Sequence, residues 1–291
     1  RVGNTRAALL MVLAMAGFAL GDAFVKLSAG AMSIAQVLIF MSVPGVIIFA
    51  ILAKRSGQDV FSRQFFDKTV LMRNSVEAFT AICMVSALSL APLSLVISII
   101  QAVPLFVTLG AALILKEKVG PRRWIALIAG FFGVMLMLRP DASGISFGAL
   151  LALFAAVGLS TRDLLTRVMP ARIGTLKMAT WGTAALIPAG FLMLPFTGPH
   201  GMPSLSAWGI VLCASLVNAV GYYSITAAMR LGEVSFVTPF RYTRLVFALI
   251  IAALFFAEQP DALTLLGAFI VIGSGLFVMW RERKLSVSGN N

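Results

Sequence analysis

The chain has 291 residues, of which 60% are hydrophobic and only 12% are charged, and its mean hydropathy is +0.99. Water-soluble domains carry roughly twice that charged fraction, so the composition excludes an ordinary soluble protein and indicates a polytopic membrane protein. The formal net charge of +12 resembles that of nucleic-acid-binding proteins, but the basic residues lie in the connections between apolar stretches. We therefore expect a lipid bilayer as partner and no nucleic acid.

Ten stretches approach the roughly 20 apolar residues that a helix needs to cross a bilayer. We predict spans at 7–27, 34–53, 69–90, 93–115, 122–138, 147–168, 177–195, 206–229, 233–256 and 262–280. Helices are required because lipid cannot satisfy an open strand edge, and each stretch is too continuously apolar for a barrel. The predicted fold class is an all-α integral membrane protein.

The loop charges predict the orientation of the spans. If the N-terminus lies inside, the outer connections hold only Lys26 and Arg139. The inner connections then hold Arg1, Arg6, Lys54, Arg55, Arg63, Lys68, Lys116, Lys118, Arg122, Arg123, Arg172, Lys177, Arg281, Arg283 and Lys284. The positive-inside rule thus predicts that both termini are cytoplasmic. We predict that the charged loop 54–68 is solvated surface.

The second half of the chain repeats the first at an offset of 141 residues. Residues 87–96 align with 228–237 without a gap, and the same offset places Glu117 on Glu258 and Asp22 on Asp163. Five spans per half is an odd number, so the two copies must cross the membrane in opposite directions. We predict two inverted five-helix repeats, residues 1–140 and 141–291. This plan is common in transporters, with the substrate near the midplane.

Arg73 near the start of span three, the Ala-Leu-x-Leu-x-Pro turn at 87–92 and the glutamates after spans four and nine form a recognisable set. With the segments 240–247 and 258–261, they resemble the EamA-type members of the drug/metabolite transporter superfamily. The resemblance implies a ten-helix exporter of amino acids, aromatic ones included, and of related metabolites in a bacterial inner (plasma) membrane. Some similar members carry S-adenosylmethionine, acylcarnitine or drugs, so these remain alternatives.

Two pairs of opposite charges are candidates for gates. Asp22 and Lys26 lie one turn apart near the outer end of span one, in the order that favours an ion pair, and Asp163 and Arg167 repeat this spacing in span six. Helix-end pairs that only compensate buried charge remain open as an explanation. Arg162 points about 100° away from Asp163, so we predict that Asp163 pairs with Arg167 and that Arg162 reaches the cavity or the cytoplasmic surface.

Span three carries the first candidate substrate contacts. Arg73, Glu77, Thr80 and Met84 share one face, and an intramembrane carboxylate is costly unless it is paired, hydrated or protonated. Glu77 is therefore a candidate for contact with a substrate amine or a proton, although it can also pair with Arg73. In span four, Gln101 is either a ligand group or a hydrogen bond between helices.

Spans eight and nine carry the second set. Asn218 and Tyr222 belong to a polar line with a period of four residues, which must face protein or water. Arg241 and Arg244 share a face of span nine, where a substrate carboxylate would suit them, unless they extend to the cytoplasmic surface. Gly17 and Gly21 in span one predict a close helix contact.

We place the substrate pocket between spans one, three, four, six, eight and nine. Its predicted lining consists of Glu77, Phe79, Met84, Gln101, Asn218, Tyr222, Phe236, Arg241 and Arg244. The nearly featureless spans five and ten are expected at the periphery of each half or against another subunit, in a monomer or homodimer. No phosphate loop, hydrolase motif or metal-ligand spacing is visible. We therefore expect alternating-access transport of a small molecule without a cofactor or metal, and an intramembrane enzyme is a remote alternative.

Overall fold

The computed structural model describes residues 2–116, 120–139, 144–170, 172–197, 201–231 and 237–288. Within these ranges, ten helical segments are long and apolar enough to cross a membrane, which confirms the predicted all-α membrane fold. The spans, one to ten, comprise Val2–Ser28, Ile34–Arg55, Lys68–Leu90, Leu93–Ile100 with Val103–Leu113, Pro121–Leu138, Phe147–Arg167, Thr175–Ala184 with Leu186–Thr197, Leu205–Leu231, Thr238–Tyr242 with Thr243–Phe256, and Ala262–Ser288.

Side-chain caps mark where several spans begin, spans two and six among them. Before span two, the hydroxyl of Ser33 accepts from the backbone N–H of Gln36, and the Gln36 side chain accepts from the backbone N–H of Ser33. Before span six, the Ser146 hydroxyl accepts from the N–H of Ala149. These bonds satisfy N–H groups that have no partner within the helix.

Spans four, seven and nine are interrupted within the described residues. Span four turns at Gln101 and resumes at Val103, with Pro104 in the first turn, where its missing N–H is tolerated. Span nine begins with the 3-10 turn Thr238–Tyr242. The offset of 141 places Gln101 on Tyr242, so the breaks of spans four and nine are repeat counterparts. Discontinuous spans of this kind mark the binding region in many transporters.

The two halves meet through helix pairs that each take one member from either half. Span one packs on span eight and span three on span six, while span two packs on span seven and span five on span ten. Spans four and nine then pack on spans six and one, respectively. Spans five and ten had been predicted at the periphery of each half or against another subunit; they pack against each other.

Glycines allow the closest of these approaches. A Cβ added to Gly17 would lie 3.0 Å from the carbonyl oxygen of Val217, and one added to Gly21 would lie 2.5 Å from Oδ1 of Asn218. This confirms the predicted close contact of span one. Between spans five and ten, a Cβ on Gly133 would lie 2.7 Å from the carbonyl oxygen of Gly267.

We expect Gly133→Ala to lower the free energy of unfolding by about 1–3 kcal/mol, because the added methyl forces two backbones apart. Unfolding by denaturant in detergent micelles measures this change. Gly273→Ala in span ten is the matched control, since no atom lies within 4 Å of its added Cβ. Equal losses in the two variants would contradict the prediction. Gly275→Ala is a poorer control, because its Cβ would collide with the hydroxyl of Tyr242.

Candidate substrate site

Charged side chains of spans three, six and nine form one connected network in the half of the bundle that is predicted to be cytoplasmic. The two oxygens of Glu77 each lie 3.2 Å from a guanidinium nitrogen, one of Arg73 and one of Arg162. Arg162 Nη2 lies 2.9 Å from Asp163 Oδ1, and Asp163 Oδ2 lies 4.0 Å from Arg241 Nη2. The charges alternate along this chain of contacts, so each ion is compensated by its neighbours. We call these five residues the central network.

The pairing that the sequence predicted for Asp163 is wrong. Its carboxylate is bound by Arg162 through Nε at 3.1 Å and Nη2 at 2.9 Å, whereas Arg167 is exposed at the end of span six. The 100° between neighbouring residues separates their Cβ atoms, but a long arginine side chain can turn back to its neighbour. Arg162 thus links Asp163 to Glu77 on span three, and it joins the two halves of the protein.

Asp22 forms a second ion pair, again between the halves. Arg244 donates from Nε at 3.1 Å and from Nη2 at 2.6 Å to Asp22 Oδ2. The Arg244 guanidinium also lies over the ring of Phe18, 5.5 Å from its centroid, a favourable cation–π arrangement. The predicted pair of Asp22 with Lys26 is therefore wrong, because span nine supplies a better partner than the next turn of span one.

Lys26 instead belongs to a contact at the opposite end of the bundle, predicted to be the outer end. Its Nζ donates to the carbonyl oxygen of Ala91 at 2.6 Å and lies 3.7 Å from Glu258 Oε1. The Glu258 carboxylate accepts from the N–H groups of Leu93 and Ser94, and from the Ser94 hydroxyl, at 2.8–3.0 Å. An anion at a helix N-terminus is stabilised by unpaired N–H groups and the helix dipole. We call this contact the outer latch.

A cavity of about 530 Å³ lies beside the outer latch. Spans four and five, the segment just before span six, the turn between spans nine and ten and the first turn of span ten line it, with Leu95, Met137, Ser146, Glu258 and Thr264 among its residues. The cavity therefore touches both halves next to the contact of Lys26 with Glu258.

The apolar and amide residues predicted for the pocket lie in different environments, some in the interior and one on the outward surface. Met84 packs in the interior beside Ile100, and Gln101 is buried, donating at 3.3 Å to the carbonyl oxygen of Ile97 on its own helix. Phe79 is 51% exposed and shares an outward face of span three with Met72. The structure thus separates Phe79 from Glu77, which lies on another face of the same helix.

The polar line on span eight faces its neighbouring helices. Tyr222 donates to the carbonyl oxygen of Thr175 at 3.2 Å, and its ring lies 5.0 Å from that of Phe49, so it packs between spans two and seven. Asn218 covers Gly21 of span one. Phe236 lies outside the described residues.

Comparison with known proteins identifies the architecture. Residues 5–139 and 146–280 each match the EamA-like transporter family. The chain belongs to this family. The two matched segments begin and end 141 residues apart, which is the offset that aligns the sequence with itself. Two EamA-like repeats and ten apolar helices together make this a multi-pass membrane transporter.

Several relatives of this EamA-like transporter are named as transporters of particular small molecules. It is 30% identical over 217 residues to a riboflavin transporter of Rhizobium johnstonii, covering 75% of this chain and 70% of the relative. It is 28% identical over 269 residues to the pseudopaline exporter CntI of Pseudomonas aeruginosa, covering 91% and 92%. An S-adenosylmethionine uptake transporter of Rickettsia prowazekii is 26% identical over 198 residues, covering 68% and 66%. A solved crystal structure shares the fold, with a TM-score of 0.67, 20% identity and coverage of 97% and 99%.

The charged residues at the centre of this EamA-like transporter are not repeated between its two halves. The offset places Arg162 on Gly21 and Glu77 on Asn218, so the ion pair between spans three and six corresponds to the Gly21–Asn218 contact between spans one and eight. None of the four central arginines has a cationic counterpart: Arg73, Arg162, Arg241 and Arg244 correspond to Ala214, Gly21, Ile100 and Val103. The missing cationic counterpart is visible in the sequence alone, and it marks all four arginines, Arg162 among them.

Proposed function

We propose that this EamA-like protein exports amino acids, including aromatic and apolar ones, and related carboxylate-bearing metabolites. It does so by alternating access across a bacterial inner membrane, with both termini in the cytoplasm, and it acts as a transporter and not as an enzyme. S-adenosylmethionine, acylcarnitine, drugs, and the riboflavin and pseudopaline of the relatives are the alternative substrates. The observation that carries the proposal is the excess of arginine over carboxylate at the centre.

Among the residues that the structure describes, the central network and the Asp22–Arg244 pair together hold one positive charge in excess. Their four guanidiniums belong to Arg73, Arg162, Arg241 and Arg244, and their three carboxylates to Asp22, Glu77 and Asp163. One substrate carboxylate balances this count, whereas the ammonium group of a zwitterionic amino acid keeps the total at one positive charge in excess while every arginine still has a neighbouring carboxylate. A positive charge inside a membrane protein otherwise requires water or a counter-ion.

Arg241 is the arginine best placed for that carboxylate. Its contact with Asp163 is the longest of the network at 4.0 Å, and 36% of its side chain is exposed. Arg244, in contrast, directs two donors to Asp22. A guanidinium presents parallel N–H groups that match a carboxylate, so we assign substrate contact to Arg241 and a positioning role to Arg244.

The ammonium group of an amino acid also finds a partner in this arrangement. When a substrate carboxylate binds Arg241, Asp163 Oδ2 becomes available to the substrate ammonium group, while Asp163 Oδ1 stays on Arg162. The exchange places opposite charges together without leaving a buried ion uncompensated. Glu77, compensated by Arg73 and Arg162, then acts as the anchor of Arg162. Met84 supplies apolar surface on span three.

The test is flux into proteoliposomes for a panel of amino acids, their amides, riboflavin and S-adenosylmethionine. Arg241→Gln should lower the uptake of carboxylate substrates about 10- to 100-fold, because it removes a charge-assisted hydrogen bond. In this variant an amino acid and its amide should be taken up at equal rates. Arg172→Gln is the control, since its pair with Asp67 is exposed at the bundle surface. If Arg241→Gln still takes up an amino acid in preference to its amide as strongly as the wild type does, the carboxylate contact is refuted. Flux of riboflavin or S-adenosylmethionine alone would favour those substrates.

A further inference from the structure

The loop between spans two and three, residues 56–67, is held against the start of span seven. Trp181 Nε1 donates to the carbonyl oxygen of Val60 at 2.9 Å, and Lys177 Nζ donates to Gln64 Oε1 at 3.1 Å. Lys177 is buried beneath the loop. The prediction of a solvated loop is therefore corrected: one side of it is an intramolecular contact between the two halves.

These contacts fix the depth of the loop. Span seven begins at Thr175, and Trp181 follows six residues later, about 9 Å along a helix axis. The bond from Trp181 to Val60 thus holds the loop beside the first turns of a membrane span and not beyond its end. Because the apolar span Thr175–Thr197 starts here, we expect this level to lie in the polar headgroup layer that borders the hydrocarbon core.

The outward side of the loop is aromatic. Phe61 is 94% exposed and Phe66 is 73% exposed, whereas the intervening Phe65 packs edge-on against Trp181. The contacts of the loop with span seven hold its backbone in place, so Phe61 and Phe66 cannot turn inward. At headgroup depth lipid can cover these two side chains, which would face water without it.

The same loop and its borders are basic. They contain four exposed cations and only two carboxylates. The cations are Lys54, Arg55, Arg63 and Lys68, and the carboxylates are Asp59 and Asp67. Asp67 is already paired with Arg172. The remaining positive charge complements anionic headgroups.

The repeat counterpart of this loop shows that holding the loop does not require the cations. At the opposite end of the bundle, Gln36 corresponds to Lys177 and donates to the carbonyl oxygen of Gly201 at 3.1 Å. Residues 201–208 there contain no charged side chain. The cations are thus a property of one end of the bundle, which is the end predicted to be cytoplasmic.

We propose that residues 56–67 dock on anionic phospholipid headgroups, with Phe61 and Phe66 in the interfacial layer and Arg63 on the phosphates. Each cation near an anionic surface contributes favourably to such binding. This surface is separate from the substrate site and does not depend on which metabolite is transported.

The test uses nitroxide labels at single cysteines in full-length protein whose Cys83 and Cys213 have been replaced. Labels at positions 61 and 66 are compared in vesicles of phosphatidylcholine alone and with rising fractions of phosphatidylglycerol. We expect collisions with oxygen to increase and collisions with a water-soluble nickel chelate to decrease as phosphatidylglycerol is added. A label at Met202, which is also exposed but lies in the uncharged loop, is the matched control and should not respond.

Arg63→Gln should raise the phosphatidylglycerol fraction that gives half-maximal protection by about fivefold. Labels at 61 and 66 that stay equally accessible to the nickel chelate in both lipids would overturn the proposal. So would labels that are shielded only in native membranes and not in vesicles, since a protein partner would then cover the loop.

Discussion

Arg162→Gln is expected to abolish transport and to lower the free energy of unfolding by about 2 kcal/mol. The substitution leaves Glu77 with one arginine in place of two and removes the closer cation from Asp163. Breaking a fully buried ion pair costs about 3–5 kcal/mol; the smaller value reflects the 21–26% exposure of these side chains and solvent screening. Proteoliposome flux and denaturant unfolding in detergent measure the two effects.

A double variant that removes one charge of each sign separates stability from function. Arg162→Gln combined with Asp163→Asn leaves Glu77 paired with Arg73, so it should recover part of the lost stability while transport stays absent. Arg172→Gln, in an ion pair whose side chains are 62% and 38% exposed, should change stability by no more than about 1 kcal/mol. Transport at the wild-type rate in Arg162→Gln would show that the central network only supports the fold.

The spans and their number were predictable because they depend on local composition. A bilayer requires about 20 apolar residues whatever the neighbouring helices are, so each span can be recognised alone. The close contact of span one was predictable for a similar reason, since Gly17 and Gly21 lack side chains in any arrangement. The repeat offset of 141 then linked the two halves, and the family match has the same offset.

The ion pairs were not predictable from spacing along one helix. Asp22 and Lys26 lie one turn apart, yet their partners Arg244 and Glu258 both come from the second half of the chain. A membrane interior requires compensation of each charge, but any contacting helix can supply it. Spacing therefore indicated that these residues need partners, and only the packing of spans one and nine determined which.

The side of a helix that faces a binding site was likewise set by packing. Tyr222 was predicted to orient substrate because it belongs to a polar line, and such a line must face protein or water. The structure satisfies this requirement with a protein contact to Thr175. A polar line therefore predicts burial, but it does not distinguish a binding site from an interface between helices.

The outer latch gives the second large expected effect. Glu258→Gln should favour a state in which the outer end is open, because the carboxylate accepts three hydrogen bonds from Leu93 and Ser94 and compensates Lys26. The amide loses the charge and keeps only one oxygen as acceptor, and hydrogen bonds to charged groups are worth about 1.5–3 kcal/mol. We expect a cysteine at Leu95, in the adjoining cavity, to react at least about tenfold faster with a membrane-impermeant maleimide.

Asp261→Asn is the matched control for Glu258→Gln. Asp261 lines the same cavity and pairs with Arg139, but nearly half of each side chain is exposed, so its loss should change the labelling rate much less. Lys26→Gln should act in the same direction as Glu258→Gln, since Lys26 joins span one to the same carboxylate. If labelling at position 95 is unchanged in both latch variants, Lys26 and Glu258 only compensate charge at helix ends, and the predicted gating role of Lys26 is refuted. Faster labelling together with slower flux would instead show that closure of this end is a step of the transport cycle.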